Sequence, residues 1–204
     1  MRSLKVLVAC EFSCIVRDAF IKKGHYAISC DLLPPENSGP HIQEDVLTIL
    51  NDGWDLMIAH PPCTYLTNAG VRHLHDHVVS RLGNRTAVYG EARWKAMREG
   101  AEFFNALKNA PIKRIAVENP VPHKYAKEII GNYDQLVRPW MFGNPETKAI
   151  CLWLKNLPKL QPTNIIKERE HNIHYMSPSP DRWKNRSRFF PEVAKAMTDQ
   201  WGGL

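Results

Sequence analysis

The chain has 204 residues, 44% of them hydrophobic and 24% charged, with a formal net charge of +6 and a pI near 9.1. That composition excludes a disordered chain, and no apolar run reaches the roughly 20 residues needed to span a bilayer. Five cysteines, at 10, 14, 30, 63 and 151, are scattered with no CxxC pair, which argues against a disulfide framework. The opening apolar run is too short for a secretory signal. Free thiols then imply a reducing compartment, and a cytoplasmic protein without a membrane partner is expected. The basic balance suits a polyanion partner or a solvated basic face equally.

In chain order, "LKVLVAC" (4–10) reads as a buried strand. "CIVRDAFIKKGH" follows with Ile15, Val16, Ala19 and Phe20 at helical spacing and Gly24 as the stop. "HYAISCDLL" is a second strand ending at Asp31, then comes a Pro/Asn/Ser/Gly loop at 34–40. "EDVLTIL" predicts a short helix, and "WDLMIAH" a third strand ending at His60. Strands alternating with helices imply parallel pairing and an α/β architecture. Residues 68–90 read as a polar loop insertion. "EARWKAMREGAEFFNALKNA" then places Trp94, Met97, Ala101, Phe104 and Leu107 on one face of an amphipathic helix. "KRIAVENP" is a strand stopped by Pro120. "TKAICLWLKNL" is a later strand, with Ile150, Leu152 and Leu154 alternating against Cys151 and Trp153. A Pro-rich loop is expected at 158–187 and a closing helix in "PEVAKAMTDQWG", with Pro191 in its first turn. No repeat divides the chain, and residues 1–204 read as one domain.

In a doubly wound sheet, ligands sit beyond the carboxyl ends of the strands. Glu11 and Ser13 follow the first strand, Asp31 the second, His60–Cys63 the third and Glu118–Asn119 the next. Asp31 stands where a nucleoside-binding fold places an acid for ribose hydroxyls, or it is a turn acid. The first turn, "ACEFSCIV", has no glycine, which argues against a diphosphate cradle. Cys63 follows Pro61 and Pro62, whose fixed φ stiffens the loop, so this thiol suits a nucleophile. Cys10, Cys30 and Cys151 read as small buried groups within strands. "VENP" sets a carboxylate and an amide at a strand exit, or simply opens a turn. His73, His75 and His77, two apart, do not match zinc-finger spacing.

With Asp31, "HPPCTYL" and "VENP" in this order, the chain resembles the DNA cytosine 5-methyltransferases, and most of all their compact phage-type members, over about residues 4–155. The resemblance implies a Rossmann-like sheet with helices on both faces, S-adenosyl-L-methionine (AdoMet) as cofactor, and double-stranded DNA as the first substrate to consider, with RNA or a free nucleotide behind it. It implies that Cys10, Glu11, Phe12 and Ser13 flank the methionine part of the cofactor, and that Asp31 with Leu32 meets the ribose. Asp45 with Val46 would meet the adenine, and His60 and Pro61 would complete that side. Cys63 would be the nucleophile, Glu118 the acid at the cytosine ring nitrogen, and Arg138, in "QLVRPWMFG", the cation near the base carbonyl. The chain departs from the family in three ways. Cys14 stands at a glycine position, Thr64–Tyr65 follow the nucleophile, and the target-recognition region shrinks to about 158–187.

Two other functions fit the same residues. "HPPC" is a poor relative of the Pro-Pro-aromatic tetrapeptide of amino-methyltransferases. The glycine-poor first turn also suits a non-catalytic nucleic-acid-binding module on a degenerate methyltransferase fold.

Overall fold

The apolar runs at the start of the chain are short and rich in Val and Ile, which favours strands over buried helices. In the computed structural model, which describes residues 2–75 and 89–204, they become the strands of a single sheet. The elements are β1 (Lys5–Ala9), α1 (Ile15–Lys22), β2 (Tyr26–Cys30), β3 (His41–Ile42), β4 (Leu56–Ala59), α2 (Gly90–Lys108), β5 (Arg114–Asn119), α3 (Lys124–Ile130), β6 (Gln135–Val137), β7 (Ile150–Lys155), α4 (Asn172–Tyr175), α5 (Arg182–Ser187) and α6 (Pro191–Trp201). Short 3-10 turns occupy Val46–Ile49, Asn68–Leu74 and Pro139–Met141.

The strand order is β3-β2-β1-β4-β5-β7-β6. Pairings from β3 through β5 are parallel, and β7 runs antiparallel to both β5 and β6. A parallel pair needs a crossover, which α1 supplies between β1 and β2 and α2 between β4 and β5, while a loop joins β2 to β3. Between β6 and β7 there is only a 3-10 turn, so the chain reverses instead. The architecture is the expected α/β Rossmann-like sheet with helices on both faces.

Alternation along the strands divides the core. Leu7, Met57, Ala59, Ile115 and Val117 pack with Met97, Ala101, Phe104 and Leu107 of α2 and with α3. Val6, Val8, Leu56, Ile58 and Ala116 pack with Val16 and Phe20 of α1 and with Val193, Met197 and Trp201 of α6. The order of strands reverses between β1 and β4, which opens a crevice at their carboxyl ends.

Several elements depart from the sequence expectation. β3, α3 and β6 were not foreseen; two are strands of two and three residues, too short to show a period. β7 is buried on both faces between β5 and β6, so its apparent alternation does not mark a solvent face. The Pro-rich segment holds α4 and α5 in place of a continuous loop. Cys10 lies one residue past β1 in a left-handed conformation (φ 57°), not within the strand. The stretch read as a polar loop begins with the turn at Asn68–Leu74, and residues 76–88, with His77, lie outside the described residues. Among the described residues no group of three or more metal-ligating side chains gathers, and no helix is long and apolar enough to cross a membrane.

Arg17 of α1 is fully buried and anchors the loop after β2. Its guanidinium donates to the carbonyls of Ser38 (2.8 Å) and Pro40 (3.3 Å) and to Ser29 Oγ (3.4 Å). A Cβ on Gly39 would stand 3.0 Å from this guanidinium, so the tight approach needs glycine there. Arg17→Met should therefore cost about 2–4 kcal/mol in urea unfolding, because it strands buried acceptors. Thermolysin should also cut sooner within residues 32–42.

Candidate active site

The register of β4 on β5 builds the centre of the site. Ala59 pairs with Val117, so the next two positions on each strand come level. His60 Nδ1 donates to Glu118 Oε2 at 3.2 Å, and Asn119 Nδ2 donates to the Pro61 carbonyl at 2.9 Å. His60 also continues the ladder to β1, its N–H bonding the Ala9 carbonyl at 2.9 Å. The His60 and Glu118 side chains are 11% and 9% exposed. Glu118 Oε1 and His60 Nε2 are buried with no hydrogen-bond partner. A buried acceptor left bare is costly to the fold, and it is what a site for a polar ring edge requires.

The Cys63 loop is clamped beyond the two prolines. Arg93 of α2 donates to the Thr64 carbonyl at 2.8 Å and lies 4.6 Å from the centre of the Tyr65 ring. The His123 ring bonds the Tyr65 carbonyl, and the His123 N–H bonds that of Leu66, both at 2.9 Å. Cys63 itself is exposed. The protein packed round its open side still desolvates the thiol and pushes its pKa up, with Glu118 adding to the rise; Lys148 and Arg186 pull it back. Glu118 is balanced differently. Burial would raise its pKa, but the His60 hydrogen bond and the charges of Lys148 and His60 outweigh burial, and the carboxyl is held below its usual range. One cation, Lys148, thus acts on both the thiol and the carboxylate. Arg138, at the exit of β6, donates to the Thr147 carbonyl at 2.6 Å instead, holding the residue before Lys148.

The residues expected on the cofactor side gather at the exits of β1 and β2. Glu11 is buried and accepts from the N–H groups of Val16 (2.7 Å) and Arg17 (3.1 Å) and from Ser13 Oγ (3.4 Å). It caps α1 internally, at the place where a helix start would otherwise take a diphosphate. Burial raises its pKa, against His60 and these amides. Cys10 and Cys14 both hold positive φ (57° and 64°), so cysteines take the left-handed positions that glycine would fill. Burial raises the Cys10 pKa, with Asp31, Cys30 and Asp45 adding to it, which places both acids near this turn.

Asp31 is half-buried and raised by that burial; its Oδ1 accepts from the Leu33 N–H at 2.9 Å, so the turn-acid role is real. Leu32 beside it is 72% exposed, a large apolar side chain at the rim. Asp45 caps the turn at Val46–Ile49 through the Leu47 N–H (3.0 Å), and Val46 is sunk in the core. An acid, an exposed apolar neighbour and a helix start closed by Glu11 fit a nucleoside without a diphosphate.

A roof from the C-terminal segment crosses this edge, and nothing in its local sequence signalled it. Trp183 of α5 stands 6.4 Å from the Phe12 ring, and Phe189 lies 4.8 Å from His60. Arg188 grips Glu36 with two bonds of 2.9 and 2.7 Å, and Lys148 Nζ donates to the Arg186 carbonyl at 3.3 Å. Lys148, Arg186, Arg93 and His123 are site residues that the sequence reading missed. They reach the site from distant elements, and none sits in a motif.

No family model and no curated protein matches the chain. Among solved structures it is similar to a protein assigned as a DNA modification methyltransferase encoded within an E. coli prophage, at 15% identity, covering 86% of this chain and 56% of that one, with a TM-score of 0.49. It is also similar to the Entamoeba histolytica methyltransferase EhMeth, at 12% identity, covering 88% and 61%, with a TM-score of 0.48. The chain therefore spans under two thirds of the length of either.

Alkylation by iodoacetamide should read these charges at Cys63. Its pH midpoint, followed by mass spectrometry, should lie above the roughly 8.5 of an ordinary thiol. Lys148→Met removes a charge that favours the thiolate and should move the midpoint up. Glu118→Gln removes an opposing charge and should move it down.

Proposed function

We propose that the chain is an AdoMet-dependent methyltransferase acting on carbon 5 of cytosine in DNA, through a transient bond from Cys63 to carbon 6. One observation carries this reading. An exposed thiol and a buried carboxylate with a bare oxygen stand beyond the carboxyl ends of the neighbouring strands β4 and β5.

The residues divide the work as the chemistry requires. Lys148 and Arg186 favour loss of the Cys63 proton. The thiolate attacks carbon 6 and breaks aromaticity, which drives electron density onto the ring and makes carbon 5 nucleophilic. Glu118 Oε1 meets the polar edge of the base, and Lys148 takes the charge-balancing role expected of Arg138. AdoMet, when bound, supplies the electrophilic methyl group. Asp31 and Leu32 would hold its nucleoside part, with the 10–14 turn over its methionine end. A base then takes the carbon 5 proton, the electron pair re-forms the 5,6 double bond, and the sulfur leaves carbon 6 as a thiolate. Asn119, Arg93 and His123 keep the thiol loop in place, so little reorganisation is needed as the base arrives.

A duplex would have to release the base first, at a cost of about a few kcal/mol. The roof suits the nucleic-acid side of this task. Residues 158–190 hold seven Lys/Arg against three acids, and Tyr175 and Trp183 are exposed among them. The raised pKa of Cys63 favours the second reading, transfer to an exocyclic amine, which needs no thiolate.

DNA containing 5-fluorocytosine, duplex or single-stranded, separates these readings. With AdoMet it should give an adduct that survives denaturation. Cys63→Ala should abolish the adduct, and Glu118→Gln should slow it by about a hundredfold or more. Substantial methyl transfer by Cys63→Ser would show that the amine is the target. Absence of AdoMet binding in calorimetry, with DNA binding intact, would show a non-catalytic module.

A further inference from the structure

Two short helices of the roof bury nothing. α4 has four residues and α5 six, none of them buried, and each holds out a large ring: Tyr175 is 76% exposed and Trp183 52%. Ordering such segments costs chain entropy that buried area does not offset, and exposed rings beside cations mark a binding surface. We propose that Tyr175 and Trp183 form a stacking platform for the unpaired bases of a single-stranded nucleic acid, in place of the duplex that the family resemblance puts first. The inference rests on the methyltransferase reading for what the roof serves, and adds to it the form of the substrate.

The two rings belong to one surface. Arg182 Nε donates to the Met176 carbonyl at 2.8 Å, which ties the residue before Trp183 to the residue after Tyr175. His174 and His171 stand edge-on to Tyr175, with ring centres 4.9 and 6.2 Å away. Lys184 Nζ lies 5.7 Å from the centre of the Trp183 ring. Among the described residues neither Lys184 nor Arg186 pairs with an acid, so their charge is left for a polyanion. The platform also connects to the thiol. Thr147, next to Lys148, shares a hydrogen bond of 2.6 Å with His171 Nδ1, and Lys148 Nζ donates to the Arg186 carbonyl at 3.3 Å. The charges of Lys148 and Arg186 both reach Cys63.

Stacking selects the single strand. In a duplex each base is already stacked on its neighbours and offers only its edges to a protein. An unpaired base offers its face, and a face laid on an aromatic ring gains affinity with little regard to sequence. Groove reading fits these elements poorly. By length α4 and α5 reach about 6 and 9 Å, against a major groove about 12 Å wide. A single strand also spares the site the unpairing of its target base.

Fluorescence anisotropy of labelled oligonucleotides on the full chain, without AdoMet, tests this. One cytosine-containing sequence is offered as single-stranded DNA, as single-stranded RNA and as duplex DNA. The single strands should bind at least about tenfold tighter than the duplex, and the tighter of the two names the source. Tyr175→Ala and Trp183→Ala should each weaken single-strand binding about fivefold or more and change duplex binding by less than about twofold. Tyr175→Phe and Trp183→Phe, which keep a ring, should stay within about threefold of the unaltered protein. Lys184→Gln should flatten the log–log salt dependence of single-strand binding by about 0.7.

Duplex binding as tight as single-strand binding overturns the proposal. So does single-strand binding unchanged in both alanine variants, or a loss in the phenylalanine variants equal to that in the alanine ones. Absence of binding to all three oligonucleotides overturns it as well. Failure of the methyltransferase reading is distinct: ring-dependent binding of single strands would persist, with no Cys63-dependent adduct on 5-fluorocytosine.

Discussion

Parallel pairing in register is the constraint on which the site depends. β1 pairs with β2 and β4 so that Ala9, Cys30 and Ala59 come level, and β4 pairs with β5 so that Ala59 meets Val117. One step further along the four strands, Cys10, Asp31, His60 and Glu118 therefore share a row, although the chain between the first and last spans more than half its length. Side chains alternate faces along a strand, so a slip of one residue in any pairing would turn that strand's contribution away. Both faces of β1, β4 and β5 are packed, so a slip would also draw a polar end residue into the core. The core thereby sets the alignment of the chemistry.

Much of this was legible in the sequence, for identifiable reasons. β1, β2, β4 and β5 are apolar runs with polar residues at their ends, and the sheet does bring those ends together. Cys63 and Glu118 were recognisable because each lies at or just past such an exit, Cys63 directly after Pro62 and Glu118 two residues before Pro120. Other features left no local trace. Lys148 and Arg186 act at the site from a link between strands and from a six-residue helix, and no spacing rule joins them to residue 63. β3 and β6 are held by neighbours more than by their own composition. Arg138 rested on the family resemblance of "QLVRPWMFG" alone; the structure sets its guanidinium on the Thr147 carbonyl, next in the chain to Lys148.

The roof changes the meaning of the Pro-rich segment. Prolines and polar residues suggested an irregular connection, yet this stretch lays aromatic rings on Phe12 and His60 and ties itself to Glu36. Its positive charge gathers on the edge where the thiol opens to solvent. Rings supply apolar area, Arg188 supplies a two-point tether, and the prolines limit the shapes the strand of chain can take. One segment thus covers Phe12 in the turn after β1 and packs against His60 at the exit of β4.

Glu11 carries a consequence for how such a protein could diversify. Sheets of this kind commonly lend the start of their first helix to pyrophosphate-bearing cofactors. Here the position is taken by a carboxylate of the chain itself, in a turn whose two cysteines bring Cβ atoms where glycines would leave room. Room for a diphosphate would require replacing Glu11 and the two cysteines together. A pyrophosphate could take this helix start only by displacing Glu11 from the Val16 and Arg17 amides.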